Sequence, residues 1–452
     1  MSIQKYQSFN SLIENIAYLE DKADLDKALR VIHDFVERII TEPMCTSLIF
    51  GSKNLDDLCQ SIGKKSLLAI ERAKEAPAQN DSSQLTFVYI VTKLQKSGGH
   101  TRVISDFIKA RPEDQHVILS TELDGRSDPI TSIAGLAQQA TIIFEQAPKG
   151  NYQQRLTWLQ TRLLNLNSKK VYLFNHHQDS VAVGAIQPEM NLNASFYHHG
   201  DHHLCLGVYL SHLEHIDFHP MGYHNCRDTL GIDNIYIPLS VEDKGARPAK
   251  EPFCEGGVLT TCTAARSNKI EVPYCVDYLE VIPELLKATG GRHIHIGRLT
   301  PWALFKIRRR LKRLGVPADR FEYTPWVPSV WQALHECKVD LYIASFPYGG
   351  GLTLIEVMGA GIPVALHRHI FCRILSGVEL AYPEAFSWRF AEELLDYCGS
   401  VKPEELEQAG RLGRAHYEKF YAGTNLRAVL DGTAQEQHKP SGLSDKFTIE
   451  TD

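Results

Sequence analysis

The stretch DLYIASFPYGGGLTLIEVMGAGIP (340–363) decides how this chain is read. Its short apolar run, Leu341 to Ala344, predicts a strand. Phe346-Pro347-Tyr348 and three consecutive glycines, Gly349, Gly350 and Gly351, follow it, and a helix-forming stretch runs from Leu352 to Met358 before Gly359, Gly361 and Pro363 end it. Glycine lacks a Cβ, so another molecule can come close to the backbone. Free amides at the start of a helix, with the positive end of its dipole, form an anion site. Thr353 and Glu356 are three apart and share one helical face, while Leu352 and Ile355 are expected to pack inward. The physical reading is a diphosphate held by amides and the Thr353 hydroxyl, with Glu356 one turn deeper accepting hydrogen bonds from a ribose. The plainer reading is an ordinary strand–turn–helix corner, but three glycines exceed what a corner needs.

Working outward, this loop belongs to a block of short apolar strands: GVLTTCT (257–263), RHIHIG (292–297), FEYT (321–324), VDLYIA (339–344) and PVAL (363–366). An earlier block offers LTFVYIV (85–91), HVILS (116–120), TIIF (141–144), VYLF (171–174), ASFY (194–197) and NIYIP (234–238). Helical segments alternate with the strands of both blocks, and SVEDKGARPAKEP (240–252) separates them. The pattern predicts an α/β chain with two doubly wound Rossmann-like domains. In such sheets the ligand lies beyond the carboxyl ends of the strands, and two such domains imply a cleft. Before them, Leu12, Ile13, Ile16, Leu19 and then Leu29, Ile32, Val36, Ile39 recur at helical spacing. The expected division is a helical N-terminal extension (1–82), an N-terminal Rossmann-like domain (83–245), a C-terminal Rossmann-like domain with a final crossover helix (246–432), and a disordered tail (433–452). The composition of 75–84 marks a linker, and the apolar stripe of the extension offers a surface for a homo-oligomer, which amphipathicity alone does not establish.

A chain of 452 residues, 43% hydrophobic and 23% charged, is globular in composition. Its net charge of −6 argues against general nucleic-acid binding. The ten cysteines are scattered without a CxxC pair, several inside apolar runs such as LTTCTAA, which fits a reducing compartment. The opening MSIQKYQSFNSL has no apolar core of a signal peptide, and no apolar run nears the ~18 residues that span a bilayer, so the expectation is a cytoplasmic protein. The basic run KIRRRLKR (306–313) reads either as a solvated helix face or as a peripheral contact with the inner face of a membrane, the former favoured.

A second glycine pair, Gly98-Gly99 in VTKLQKSGGHTRV (91–103), follows the first strand and opens a helix. With the loop at 349–351, each predicted domain has one glycine loop at a strand-to-helix junction. These residues resemble a GT-B glycosyltransferase over about 85–430. The resemblance implies that the domain at 83–245 is the acceptor domain and the domain at 246–432 the donor domain. The SGGHTRV loop resembles the glycine loop of family 4-type enzymes that approaches the donor. ARSNKIE (265–271) resembles the segment whose basic residue grips the diphosphate, with Lys269 as the match and Arg266 and Ser267 beside it. TPWVPS (324–329), with Trp326, Val327 and Pro328, resembles the nucleobase loop, and SFPYGGGLTLIE (345–356) the phosphate and ribose loop in a form closer to the O-GlcNAc transferase type. YHHGDHHLCLGV (197–208), HIHIGRLTP (293–301) and SGVELAYPEAFSWR (376–389) resemble a set of bacterial GT-B proteins with the pattern NHADHxFWLGV.

The resemblance implies a donor site of Gly98, Gly99, Ser267, Lys269, Trp326, Val327, Pro328, Tyr348, Gly349, Gly350, Gly351, Leu352, Thr353 and Glu356. It implies transfer of a sugar from a nucleoside diphosphate, UDP favoured, to a glycan, lipid-linked or protein acceptor, with no cofactor beyond that donor and no bound metal. The sequence departs from the family where two glutamates eight apart are common: Glu356 holds the second position and Tyr348 the first. The choice between inversion and retention therefore stays open.

Ten of the twenty histidines fall between His176 and His224, densest in NHHQDS (175–180) and HHGDHH (198–203). A metal site competes with an acceptor site and with ordinary packing. Imidazole and carboxylate suit a transition metal, but neither HExxH nor a finger spacing is present and adjacent histidines on a strand face opposite ways. A histidine also titrates near neutrality and can take a proton from an attacking hydroxyl. His199, Asp201 and His202, just after the strand ending near Tyr197, are the expected bases, and Lys269 the catalytic cation that meets charge on the leaving diphosphate. An epimerase of the UDP-N-acetylglucosamine 2-epimerase type and a non-catalytic GT-B-like subunit of a surface-polysaccharide complex are the competing functions.

Overall fold

The computed structural model describes residues 9–42, 49–73, 86–96, 99–132, 141–370, 376–423, 426–433 and 440. The expected linker at 75–84, the tail apart from residues 433 and 440, and Gly98 lie outside these described residues. No described helix is long and apolar enough to cross a membrane.

Two parallel sheets organise the chain. The first contains β1 (Thr86–Val91), β2 (Gln115–Ser120), β3 (Thr141–Gln146), β4 (Ser168–Phe174), β5 (Ala194–Tyr197), β6 (Glu214–Asp217) and β7 (Asn234–Tyr236), in the order β3-β2-β1-β4-β5-β6-β7. The second contains β8 (Thr260–Ala264), β9 (Arg292–Ile296), β10 (Phe321–Thr324), β11 (Leu341–Ile343), β12 (Val364–His367) and β13 (Phe386–Trp388), in the order β10-β9-β8-β11-β12-β13. Each is a doubly wound Rossmann-like sheet whose order reverses beside its first strand. The reversal opens a crevice after β1 and β4 in one sheet, and after β8 and β11 in the other. The strands β1 and β12 are buried along their whole length, because helices cover both faces of such a sheet and select continuous apolar runs over alternating ones. Two strands escaped the sequence reading. EHID of β6 carries charge and FSW of β13 is three residues long, so neither shows the apolar run that marks a buried strand.

The chain divides into two compact units, which differ from the expected boundaries. Described residues up to Ile237 form the first unit together with 426–433, and Pro238 to Gly423 form the second. The N-terminal helices, Phe9–Asp21, Leu25–Thr41 and Lys53–Ala73, are part of the first unit. Ile16, Leu29, Ile32, Val36, Leu55 and Ile62 share one buried core with Val88, Val117 and Val171 of the sheet. Two details fix the third helix in place. A Cβ on Gly63 would lie 1.8 Å from the carbonyl oxygen of Gly184, so only glycine permits that approach. Buried Asp56 accepts from the amides of Gly207 at 2.7 Å and Tyr209 at 2.9 Å. The helix Leu426–Leu430 returns to the first unit instead of completing 246–432, because buried Arg111 takes its carboxylate from Asp431.

Candidate functional site

In the second unit the crevice is built from the ends of β8 and β11. The chain leaving β8 forms a short helix, Ser267–Ile270, and Lys269 on it extends to the glycine loop after β11. Its ammonium donates to the Gly349 carbonyl at 2.8 Å, and the Tyr348 amide donates back to the Lys269 carbonyl at 3.3 Å. Ser345 Oγ donates to the Tyr348 carbonyl at 2.7 Å, tightening the same loop. A Cβ on Gly350 would lie 3.2 Å from Lys269 Nζ and 3.7 Å from Thr353 Oγ1, so glycine leaves open the space that these groups face.

The helix Gly351–Gly359 starts here with Gly350 as its cap, and no side chain caps it. Its first-turn amides are left for a ligand. Leu354 and Ile355 are buried, while Leu352, Thr353 and Glu356 are half-buried. Leu352 is therefore less enclosed than its spacing suggested, and the Thr353–Glu356 face is the accessible one. Burial pulls the Lys269 ammonium below its ordinary pKa, and among the described residues no carboxylate neutralises it. A half-buried cation beside uncapped amides favours an incoming anion. On the same edge, the loop after β10 carries Trp326, exposed at 72%, with Val327 half-buried and Pro328 exposed. Ser267 donates its amide to the Arg298 carbonyl at 2.8 Å.

The first unit has a crevice at the corresponding place. A cavity of about 330 Å³ is lined by Lys93, His100, His176, His177, His199 and His202, among others. Lys93 and His100 follow β1, His176 and His177 follow β4, and His199 and His202 follow β5. Gly99 opens the helix Gly99–Lys109, and a Cβ there would lie 2.7 Å from His199 Cε1. Gly99 thus makes room for an imidazole of its own unit. The His100 and His199 rings lie 3.8 Å apart, and His100 stacks on His176 at 5.0 Å. Burial holds His199 down to about 4 and His100 and His177 well below their ordinary values. These rings are neutral at pH 7 and carry a free lone pair.

One feature of this cavity had no full signal in the sequence. His176 Nδ1 lies 2.5 Å from Asp124 Oδ2, and Gln178 donates to the same carboxylate at 3.0 Å. Burial, the largest single influence, would raise Asp124, but the hydrogen bond and charge of His176, the charge of His33 and the Gln178 hydrogen bond together hold the carboxyl below its usual value. A carboxylate on Nδ1 fixes the imidazole so that Nε2 can accept a proton. The histidine density of NHHQDS pointed to His176, whereas Asp124 lies 52 positions away in a loop without a motif. Of the expected bases, His199 and His202 line the cavity. Asp201 does not line it: it is 4% exposed and hydrogen-bonds His202 at 3.4 Å.

A larger cavity of about 520 Å³, lined by Arg247, Phe253, Gly361, Arg411 and Arg414, sits in the second unit away from these strand ends and contains none of the expected site residues.

No protein-family model matches the chain, and no curated protein matches it in sequence. Solved structures do. HepE of Anabaena in complex with UDP and glucose is 10% identical, covers 76% of this chain and 98% of its own, and superposes with a TM-score of 0.56. The lipopolysaccharide outer core galactosyltransferase WaaB in its apo form is 14% identical over 77% of this chain and 100% of its own, with a TM-score of 0.57. TarM is 10% identical over 79% of this chain and 99% of its own, with a TM-score of 0.56. At these identities the likeness is one of fold: two Rossmann-like units, as in the GT-B class.

Proposed function

We propose that the chain is a glycosyltransferase that takes a sugar from a nucleoside diphosphate and passes it to a hydroxyl acceptor. One observation carries this reading. Lys269, without a carboxylate partner among the described residues, stands against the glycine loop and the uncapped helix Gly351–Gly359 at the switch point of a Rossmann-like sheet. As the glycosidic bond breaks, charge grows on the departing diphosphate. The amides of 351–353, the Thr353 hydroxyl and Lys269 are fixed donors that meet this charge without rearranging. They do the work for which other enzymes use a divalent ion, so transfer is metal-independent. Glu356, one turn further along, accepts from a ribose, and Trp326 stacks on the base. A UDP-sugar is the favoured donor, in line with the UDP and glucose bound by HepE.

The histidine cavity of the first unit handles the acceptor. His176, oriented by Asp124, takes the proton from the attacking hydroxyl, while His199 and His202 hold the acceptor. A pocket of proton-accepting groups favours an enzyme over a non-catalytic subunit. The acceptor is a glycan, a lipid-linked glycan or a protein side chain.

The helix Pro301–Leu314 supports a lipid-linked acceptor met at a membrane surface. Trp302 and Phe305 are 66% and 52% exposed, and Arg308, Arg309, Lys312 and Arg313 are also exposed. Lys306 and Arg310 instead pair with Asp277 and Glu284. Flotation with anionic vesicles, lost in Trp302→Ala/Phe305→Ala and in high salt, checks this contact.

The central test is a thermal-shift screen against UDP-, GDP-, CMP- and dTDP-sugars, followed by turnover with and without EDTA. A ligand of the folded state raises the melting temperature. The reading expects a shift with a UDP-sugar that Lys269→Ala removes, and no shift with any sugar nucleotide refutes it.

A further inference from the structure

His198 and His199 are adjacent in sequence but face opposite ways. His199 lines the cavity, whereas His198 turns into the interior of the first unit. There it meets His215, Asp217 and Cys226, all four buried, with one ligand atom from each lying within 4.8 Å of the others. His198 Nδ1 is 3.0 Å from Asp217 Oδ1 and 3.4 Å from Cys226 Sγ, and Cys226 Sγ is 3.8 Å from Asp217 Oδ1. His215 Nε2 is 3.3 Å from Asp217 Oδ2. The residues come from separate elements: the end of β5, two same-face positions of β6, and the turn Asn225–Thr229.

Hydrogen bonding accounts for only part of this grouping, since the Cys226 thiol reaches Asp217 Oδ1 only at a long 3.8 Å. His198 Nδ1 faces both a carboxylate and a sulfur, and one ring proton serves only one of them. Buried His215 Nε2 points into the group and lies 3.3 Å from Asp217 Oδ2, but out of line for a good hydrogen bond. A buried polar atom left this way is costly. A tetrahedral zinc site has ligand–ligand edges of about 3.3 to 3.6 Å, from bonds of about 2.0–2.3 Å, close to the 3.0 to 3.8 Å spacings found here within a group whose ligand atoms all lie within 4.8 Å of one another. Asn234 donates to Asp217 Oδ2 at 2.6 Å, the kind of outer hydrogen bond that orients a ligating carboxylate.

We infer that His198, His215, Asp217 and Cys226 bind a divalent transition-metal ion, zinc by ligand chemistry. Two imidazoles, a thiolate and a carboxylate suit zinc in tetrahedral geometry. On binding, the S–H bond of Cys226 breaks, a sulfur–metal bond forms and the proton leaves to solvent, with no change of oxidation state. The complex is neutral, because the two anionic ligands balance the ion, so the interior accepts it. Four protein ligands leave no open position, so the ion is structural. It staples β5, β6 and the 225–229 turn, and thereby fixes the 198–203 loop that presents His199 and His202. This revises the expectation that the histidines hold no metal, and leaves donor-phosphate chemistry metal-free.

The test uses full-length protein purified without a histidine tag from zinc-supplemented cells and dialysed against a mild chelator. Elemental analysis should find about one zinc per chain, lost in Cys226→Ser and in His215→Gln. Cobalt(II) loaded into stripped protein should give intense four-coordinate visible bands and a sulfur-to-cobalt charge-transfer band that Cys226→Ser removes. Folded wild-type protein that holds less than a tenth of an equivalent of zinc and gives no such cobalt spectrum overturns the inference. These two readouts on the wild type decide the matter even if the variants do not fold. UDP-sugar thermal shifts, read at Lys269, report separately on the transferase reading.

Discussion

The two units share a topology and differ in what they place at the same point of it. In both, the order of the sheet reverses beside the first strand, and a glycine opens the helix near the reversal. In the second unit the glycines leave helix amides and Lys269 facing open space. In the first, Gly99 makes room for the His199 ring, and the crevice fills with imidazoles. The same topology therefore presents uncapped amides beside a lysine in one unit and a cluster of imidazoles in the other, according to which side chains fill the gap. A glycine loop by itself does not identify a nucleotide site. What separates the two is where the cation goes: Lys269 donates to Gly349 of its glycine loop, whereas Lys93 of the first crevice donates to the Asp124 carbonyl.

The comparison is broken most directly in the first unit. His176→Ala should lower transfer about 10²–10⁴-fold, the range for losing a positioned base, while the thermal shift with UDP-sugar is retained. Loss of the shift would mean that this pocket binds donor. In the second unit, Lys269→Ala should lower transfer about 10²–10³-fold, as for removing one donor aimed at developing charge, and should also abolish the shift. Both variants should melt close to wild type, because neither side chain is fully buried.

A stability effect comes next. Asp56→Ala removes the acceptor of two buried amides and should cost about 2–4 kcal/mol by chemical denaturation. Its pH dependence has a defined sign. Burial raises the Asp56 carboxyl in the folded state to about 7 from an ordinary value of 3.8. The folded state holds that proton more tightly, so this contribution is full below about pH 4 and is lost as pH rises through about 7. The gap between wild type and Asp56→Ala should be wider at pH 5 than at pH 8, and equal gaps would show that the carboxyl ionises in the fold as it does in water. The smallest effect sharpens the role of Gly99. Gly99→Ala pushes on His199, so acceptor KM should rise several-fold, roughly the scale of a displaced positioning contact, with donor affinity unchanged. A weakened donor affinity would instead restore Gly99 to the donor site.

The candidate donor site could be proposed from the sequence because its signals are local. Lys269, Gly349–Gly351, Thr353 and Glu356 each sit within a few residues of a strand end, and glycine clustering shows in the linear chain. The Asp124–His176 pair and the buried group of His198, His215, Asp217 and Cys226 were not legible, since their members lie on separate strands and turns and no spacing rule joins them. Asp201 misled for the opposite reason. Nearness in sequence to His199 and His202 suggested a shared role, but the turn after β5 sends its carboxylate away from the cavity.

By itself the sequence determined two doubly wound halves, since alternating buried strands and amphipathic helices admit few arrangements, and it determined where the glycine loops fall. Only the tertiary structure decided that the N-terminal helices and the 426–433 segment belong to the first unit, because burial of Ile32 or Arg111 depends on partners far along the chain. It also decided which of two neighbouring histidines faces a cavity and which faces a thiol. A strand sends alternate side chains to opposite sides, and what waits on each side is set by the packing of the other elements.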